Sequence, residues 1–201
     1  VIGFSELLLE RDLADDIKAD VKVIHDEAQR TAKIVQNLLT FARKQPEGKL
    51  QVDINDNIRK VLALRNHEQK VNNIQLNAKL VPNLPQVMGN ASQLQQVFFN
   101  IVVNAEQAMI GVHGGSGTLT VTTERVGDNV RVSFTDNGPG ISPENMKKLF
   151  TPFFTTKGVG NGTGLGLSIC HGIITEHGGR VYAESDFGKG ATFSVELPVS
   201  K

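Results

Sequence analysis

The stretch that decides the fold is GTGLGLSI, residues 162–169. Glycine occupies every second position at its start and an apolar run follows, although glycine weakens the interior of a helix or strand. These glycines leave backbone N–H groups open where a helix is predicted to begin, and the N-terminus of a helix attracts anions. Lys157, upstream, is a candidate point charge for phosphate. The pattern therefore predicts an anion-binding segment.

Two common phosphate-binding motifs do not fit this stretch. The P-loop order G-x-x-x-x-G-K-[ST] is absent because the lysine precedes the glycines, and no predicted strand leads straight into the segment, as the dinucleotide fingerprint requires. A second glycine-rich stretch, DNGPGI at residues 136–141, follows a predicted strand. There Asp136 is a candidate acceptor for an exocyclic amine such as adenine N6, and the glycines let the backbone approach a ligand. A plain turn is the alternative.

Two asparagines lie one turn apart in a helix predicted from about Ser92, its expected N-cap, to Met109. Asn100 and Asn104 project from one face, whereas other faces of the helix are apolar. Asparagine is unfavourable in a helix interior, and amide oxygens suit Mg²⁺, which takes the rest of its shell from water and nucleotide phosphates. The pair is therefore a candidate magnesium site, and a polar pair without a ligand is the alternative.

Residues 143–162 show no strong periodicity, which is typical of a functional segment such as a lid. Their phenylalanines, Phe150, Phe153 and Phe154, fit either core packing or anchoring of a lid. Farther on, DFGKGATF at residues 186–193 carries Gly188 and Gly190, which form either a hairpin turn or the far wall of the same site.

Composition limits the class of protein. Lys+Arg and Asp+Glu both number 21 in 201 residues, so the zero net charge gives no sign of a nucleic-acid partner. Cys170 is the only cysteine, which excludes a disulfide framework and favours a buried apolar role. No apolar run approaches the length of a membrane span, so no membrane contact is expected from these residues. Because the chain begins at Val1, we expect a cytoplasmic piece of a longer protein, whose upstream part includes any membrane anchor.

The first 44 residues are predicted to form a helical hairpin. A heptad stripe predicts one long helix over residues 17–42, and residues 1–10 look like the end of another. A hairpin with a truncated arm buries little surface, so we expect a homodimer through residues 1–44. The stripe consists of Val21, Ile24, Ala28, Thr31, Val35, Leu38 and Ala42.

Residues 45–50 are a breaker-rich linker, and residues 51–201 have a mixed α/β pattern. A helix capped by Asp53 or Asn55 is predicted between the first two strands, and a last helix is predicted from Gly164 to the Gly178–Gly179 pair. The predicted strands span residues 50–54, 74–81, 118–125, 130–135, 180–184 and 191–197.

Taken in order, these motifs resemble the GHKL (Bergerat) ATP-binding domain, and specifically that of sensor histidine kinases. The matching runs are the asparagine box at 100–105, the first glycine box at 136–141, the phenylalanine box at 153–154, the second glycine box at 162–167, and the closing glycines with Thr192. The resemblance implies an α+β fold. A truncated antiparallel hairpin of four-helix-bundle type is followed by a two-layer sandwich of a mixed sheet and about three helices.

The resemblance also implies the cofactors ATP and Mg²⁺ and a set of site residues. Asp136 would receive the adenine amino group, with Gly140 beside the base and Thr192 adding a polar contact. The implied catalytic residues are the magnesium ligand Asn104 and two residues that would meet phosphates or ribose, Asn100 and Lys157. Further nucleotide contacts are implied for Gln107, Gly138, Ile141, Phe154, Thr156, Gly162, Thr163, Gly164, Leu165, Gly166 and Leu167.

Two departures from the family pattern qualify these roles. Gln107 occupies a place where many members carry a basic residue, so a neutral amide would substitute only partly for a charged contact. In the family, the acceptor motif H-E-x-x-N-P-L precedes a run like VIGFSELL, so the acceptor is expected to lie before Val1. None of the five histidines is expected to replace it, and His177 is predicted to interact with the C-terminal dipole of the last helix.

The implied activity is transfer of the ATP γ-phosphate to that histidine, followed by relay to an aspartate of a response-regulator receiver domain. Three alternatives differ in class. A hydrolysing GHKL ATPase uses a glutamate one turn before the magnesium asparagine, where this chain has Asn100, which cannot take a proton. The helical hairpin argues against the serine-kinase branch of the fold. The intact Asn104, Asp136 and second glycine box argue against a non-catalytic dimerisation module.

Overall fold

A computed structural model describes residues 1–42, 48–110, 112, 116–157 and 162–200, and of residues 30 and 33–42 the backbone alone. The chain forms two compact units, Val1–Pro46 with Thr155–Gly164, and Glu47–Phe154 with Leu165–Lys201. The predicted limits of the hairpin, linker and ATP-binding domain stay a prediction. No helix in the described part of the chain is both long and apolar enough to cross a membrane.

The first unit contains the predicted helical hairpin, with α1 at Ile2–Leu9 and α2 at Asp15–Ala42. A polar contact joins the two helices. The buried Ser5 places its Oγ 2.9 Å from His25 Nδ1, and Gln29 Nε2 lies 2.8 Å from His25 Nε2. His25 therefore binds one helix of the hairpin to the other.

The second unit is a two-layer sandwich. Its main sheet has the order β2-β4-β5-β7-β6, with β2 and β4 parallel and the other pairs antiparallel, and β1 pairs with β3 in a separate ribbon. The elements are β1 Leu50–Val52, α3 Ile54–Val71, β2 Ile74–Leu80, β3 Val87–Gly89, α4 Ala91–Met109, β4 Gly117–Val126, β5 Asn129–Asp136, α5 Pro143–Met146, α6 Gly166–Glu176, β6 Arg180–Ser185 and β7 Ala191–Pro198.

The two faces of the sheet differ because side chains alternate along each strand. Apolar residues of the sheet and of three helices form the core, in which α4 packs on β4 and β5, α3 on β2, and α6 on β6. The other face carries hydroxyl pairs between β5 and β7, Ser133 with Ser194 and Thr135 with Thr192, each at 3.0 Å. The predicted α+β architecture of a helical hairpin followed by a mixed sheet with helices is thus confirmed.

Two local predictions need correction. Asn90, not Ser92, caps α4: its Oδ1 accepts hydrogen bonds from the backbone N–H groups of Ser92 and Gln93 at 3.0 and 3.1 Å. His177 does interact with the C-terminal end of α6, as predicted, but through a hydrogen bond and not through the attraction of a charge to the helix dipole. Asn90 N donates to Nε2 at 3.0 Å, so Nδ1 carries the proton and donates to the carbonyl of Ile173 at 2.7 Å. His177 thus links the end of α6 to the start of α4.

A buried carboxylate on the polar face holds three strands together. Glu196 of β7 is 3% exposed and accepts hydrogen bonds from Arg180 Nε at 2.8 Å, Arg131 Nε at 2.9 Å and Tyr182 OH at 2.9 Å. These bonds, that of Arg180 above all, lower the pKa of Glu196 from its ordinary 4.5 to about 2, against the opposing effect of burial. The carboxylate therefore stabilises the fold only while it is ionised.

Glu196→Gln is expected to destabilise the protein at neutral pH and progressively less in acid. The folded-state pKa lies below the unfolded one, so the stabilisation is complete above pH 4.5 and is lost as the pH falls toward 2. Urea unfolding of parent and variant at several pH values measures the difference. Glu184→Gln, on the neighbouring strand, is the control. A gap between parent and Glu196→Gln that is constant from pH 6 to pH 3 would contradict the assignment.

Candidate functional site

A buried carboxylate stands at the end of β5. Asp136 is 4% exposed, and its Oδ1 accepts hydrogen bonds from Gly138 N at 2.9 Å and Ala191 N at 3.4 Å. Among the described residues, no donor reaches Oδ2. Burial raises the pKa of Asp136, and the two backbone hydrogen bonds act in the opposite direction. The second oxygen is thus an acceptor open to a ligand.

Two glycines form a close wall beside this carboxylate. Gly140 has φ +69°, and a β-carbon there would lie 2.6 Å from the carbonyl oxygen of Asp186. Gly190 has φ +98°, and a β-carbon there would collide with the carbonyl oxygen of Asp136. Because both the backbone conformation and the space exclude side chains, only glycine fits at these positions. The closing glycines lie in the predicted hairpin turn, since residues 186–190 join the antiparallel strands β6 and β7, and their role as the far wall of the site stays a prediction.

The asparagine pair lies on the side of α4 that faces the start of α6. Asn100 Nδ2 donates to the carbonyl of Gly166 at 3.4 Å, and a β-carbon on Gly166 would lie 3.8 Å from Asn104 Nδ2. One turn after Asn104, the carbonyl of Ala108 lies 3.3 Å from the β-carbon position of Gly138. The helix α4 therefore connects the asparagine pair to the loop that follows Asp136.

Cys170 has the buried apolar role that the sequence predicts. It is fully buried on α6, and its Sγ lies 3.7 Å from the carbonyl of Val97. Burial raises the pKa of the thiol to about 12, against a smaller opposing effect of its hydrogen bond with Asn100. The thiol therefore stays protonated and packs α6 against α4.

The predicted phosphate segment is divided between the two units: residues from Leu165 onward belong to the second, and Thr155–Gly164 belongs to the first. There a β-carbon on Gly162 would lie 2.6 Å from Thr155 Oγ1 and 3.3 Å from Lys157 Cδ, and burial lowers the pKa of Lys157. Its other candidates are Thr156, Thr163 and Gly164. Their contact with a nucleotide stays a prediction. Residues 158–161 lie outside the described part of the chain.

Two family descriptions match the chain. Residues 89–201 match the "Histidine kinase-, DNA gyrase B-, and HSP90-like ATPase" family, and residues 1–47 match the "His Kinase A (phospho-acceptor) domain". This chain belongs to the sensor histidine kinases. The sensor histidine kinase ZraS of Escherichia coli strain K12 is 37% identical over 179 residues, which make up 89% of this chain and 37% of ZraS. The chain thus spans less than two-fifths of the length of that relative.

Solved histidine kinases share the fold. The structure of ThkA in complex with response regulator protein TrrA matches with a TM-score of 0.73 and 30% identity, over 99% of this chain and 57% of that one. Full-length ShkA in complex with AMPPNP matches with a TM-score of 0.75 and 26% identity, over 100% of this chain and 42% of that one.

The histidine kinase site does not bring all the predicted residues together. Thr192 follows Ala191, the register partner of Asp136, and its side chain faces the opposite side of the sheet, where it pairs with Thr135. The hydroxyl of Thr192 is therefore turned away from the Asp136 carboxylate. Gln107 is exposed on α4. Of the three apolar candidates, Leu165 is buried, whereas Ile141 and Leu167 are half-buried and pack against the core.

The three phenylalanines of residues 143–162 divide between the two predicted roles. Phe150 packs against the core, with its ring centroid 5.7 Å from that of His171. Phe153 is 71% exposed and has φ +66°, and Phe154 is half-buried. Phe150 is thus a core residue, whereas Phe153 is available to a lid.

Sequence analysis missed two polar residues: Ser185, which contacts the loops beside Asp136, and Glu106, which joins α4 to α3. Ser185, the last residue of β6, bonds to both glycine loops, and nothing in its local pattern separates it from an ordinary strand end. Glu106 is 2% exposed and binds Arg65 with N–O distances of 3.0 and 2.7 Å and Gln69 at 2.8 Å. Its position gave a usable signal, because it lies three residues before the core residue Met109 on the apolar side of α4.

Proposed function

We propose that this chain is the ATP-binding and dimerisation part of a kinase that transfers the γ-phosphate of ATP to a histidine, for relay to a response-regulator aspartate. The observation that carries the proposal is the buried Asp136 with an open Oδ2, beside a helix with an amide pair at Asn100 and Asn104. Because Asp136 is buried and its Oδ2 has no donor among the described residues, it favours a ligand that donates a hydrogen bond to this oxygen, as the adenine amino group does. The AMPPNP bound to ShkA supports an adenine nucleotide.

The residues present fit a magnesium ion that arrives with the nucleotide. No group of three histidine, cysteine, aspartate or glutamate side chains forms a metal cage in the described ranges. Mg²⁺ usually keeps several waters and takes few protein ligands beside phosphate oxygens, so a single amide oxygen, that of Asn104, is a sufficient protein contribution. When bound, the ion neutralises charge on the phosphates.

The residue one turn before Asn104 distinguishes phosphoryl transfer from hydrolysis. A general base for water must accept a proton, and the amide of Asn100 has no basic site for one. Asn100 instead donates to the carbonyl of Gly166. This arrangement positions α6 without activating water, which supports transfer to a stronger nucleophile such as an imidazole.

The hairpin supports dimerisation. Its helices expose large apolar side chains, which a second copy would cover, and the match to the phospho-acceptor domain agrees with that role. The complex of ThkA with TrrA supports a receiver domain as the other partner. Because ATP and receiver domains are cytoplasmic, we assign this part of the protein to the cytoplasm. The exposed apolar residues are Val1, Phe4, Leu7, Leu8, Ile17, Val23 and Ile24.

Phosphorylation of an extended chain tests the proposal. When a phospho-acceptor helix that carries a histidine is added before Val1, incubation with γ-labelled ATP and Mg²⁺ is expected to give a protein label that is acid-labile and base-stable, as phosphohistidine is. The 201-residue chain is the matched control and is expected to stay unlabelled while ATP and Mg²⁺ raise its melting temperature. An alkali-labile label would indicate a serine kinase, and free phosphate alone would indicate an ATPase. Either result would overturn the proposal.

A further inference from the structure

We propose that Ser185 is a positioning residue of the nucleotide site, whose hydroxyl sets the geometry of Asp136 through one peptide group and thereby the affinity for the adenine ring. The inference rests on the proposed function, since it assigns Ser185 to the same ATP site. Ser185 ends β6 and has no place among the motif residues of the sequence.

The hydroxyl of Ser185 has both hydrogen-bonding roles fixed. Its Oγ lies 2.7 Å from the carbonyl oxygen of Gly190, which can only accept, so the hydroxyl proton is directed there. The same oxygen accepts from the backbone N–H of Ile141 at 2.9 Å. One side chain thus joins the loop after Asp136 to the closing glycines, although Ile141 and Gly190 lie far apart in sequence.

The space between the two loops leaves little freedom for this oxygen. A β-carbon on Gly140 would lie 3.0 Å from Ser185 Oγ and 3.1 Å from the carbonyl oxygen of Gly190. A further backbone hydrogen bond, from Gly188 N to the carbonyl of Pro139 at 2.8 Å, closes the same gap. The hydroxyl therefore lies at the centre of a narrow contact, where its loss leaves an unpaired N–H and an unpaired carbonyl.

A rigid peptide group transmits the position of Ser185 to the carboxylate. The carbonyl of Gly190 and the N–H of Ala191 belong to one planar peptide unit. Ser185 holds the carbonyl end, and the N–H end donates to Asp136 Oδ1 at 3.4 Å, the longer of the two bonds to that oxygen. Any rotation of this peptide after loss of the serine hydroxyl therefore weakens the bond to Asp136 and moves its free Oδ2.

The substitution Ser185→Ala removes the hydroxyl alone. We expect it to weaken binding of both ATP and ADP by about tenfold and by the same factor, because the change acts on the base and leaves phosphate contacts intact. A weaker Ala191 bond also raises the pKa of Asp136 further, so the pH at which nucleotide binding is half lost in acid moves upward. Ser185→Thr keeps the hydroxyl and is expected to bind nucleotide as the parent does.

A matched control removes a hydroxyl from the same sheet at a distance from the carboxylate. Ser133→Ala breaks the hydroxyl pair with Ser194 on the polar face and is expected to leave ATP affinity unchanged. If Ser185→Ala fails to fold by circular dichroism, Ser185→Cys decides. It keeps the shape of the side chain, but its larger sulfur is a weak donor and acceptor, and it is expected to lose affinity while Ser185→Thr does not.

Titration calorimetry of the parent and variants with ATP and ADP, at several pH values, distinguishes the outcomes. A parent that binds no ATP overturns the proposed function, and this inference with it. A parent that binds ATP, together with an unchanged Ser185→Ala, overturns this inference alone. Equal losses in the alanine and threonine variants, with no shift in pH dependence, would assign Ser185 to packing and would also overturn it.

Discussion

Asp136→Asn is expected to lower the affinity for ATP by about 100-fold without lowering the melting temperature of the free protein. The asparagine keeps an oxygen for the N–H groups of Gly138 and Ala191, which now bond to Oδ1. At the position of Oδ2 it presents an NH₂ group, so two donors face each other when the adenine amino group enters. A buried pair of donors without an acceptor is a strong penalty on binding.

The stability of Asp136→Asn follows from the sign of the pKa shift. Burial places the folded-state pKa of Asp136 above its unfolded value, so the ionised carboxylate costs folding free energy once the pH rises through the folded pKa. A neutral side chain does not have that cost, so the melting temperature is expected to be equal to or above that of the parent at neutral pH. In the parent, ATP affinity is expected to decline as the pH falls through the same raised pKa.

Thermal shift and calorimetry with ATP and Mg²⁺ measure both effects. Asp128→Asn, in the fully exposed turn between β4 and β5, makes the same chemical change outside the site and is expected to bind ATP normally. Normal ATP binding by Asp136→Asn would show that the carboxylate is not the acceptor. A loss of binding that accompanies an equal loss of melting temperature would show a folding defect instead.

The sequence predicts the helices and strands of this fold well where a hydrophobic repeat continues over many residues. The heptad stripe predicts α2, and alternation predicts β4 and β5, each to within about two residues at the ends it specifies. The three-residue β1 and β3 and the four-residue α5 are too short to show a period, and of these only β1 was predicted, with its end two residues too late. Asn90 and Ser92 are both favourable N-cap residues. Because β3 ends at Gly89, the helix begins directly after the strand, and Asn90 becomes its cap.

Site residues could be predicted where they lie within one helix or one loop. They could not be predicted where their positions depend on how separate strands pair. Asn100 with Asn104, and Asp136 with its glycines, follow from local spacing. The direction of Thr192 depends on the pairing of Ala191 with Asp136 across two strands, which the sequence does not contain. The contacts of Ser185 with both glycine loops arise only when β6 and β7 pair beside β5.

Glu106→Ala is expected to destabilise the protein by about 3–5 kcal/mol, because it leaves a largely buried arginine without its buried partner. The guanidinium of Arg65 is 20% exposed and bonds to Glu106 Oε2 through Nε and Nη2, while Gln69 donates to Oε1. Arg65 also lies 5.7 Å from the ring centroid of Phe99. The network joins α3 to α4, so urea unfolding is expected to show a lower midpoint with an unchanged slope.

The same arginine provides a matched control for Glu106→Ala. Arg65 Nη1 also lies 3.5 Å from Glu68 Oε1, but that glutamate is 44% exposed and is one helical turn away on α3. Glu68→Ala is expected to cost less than about 0.5 kcal/mol, because water screens an exposed pair. Similar losses in the two alanine variants would contradict the assignment of the stability to the buried carboxylate.

Replacement of the whole network tests whether it serves the fold or the nucleotide site. Arg65→Met, Gln69→Leu and Glu106→Leu together remove the buried polar groups of the network and leave only the exposed Glu68, so the combined variant is expected to recover most of the stability lost by Glu106→Ala. Glu106 lies two residues from Asn104, and two residues turn an α-helix by about 200°, so the two side chains point to nearly opposite sides of α4. The combined variant should therefore bind ATP like the parent. Recovered stability with lost ATP binding would mean that the network also sets the position of the asparagine pair.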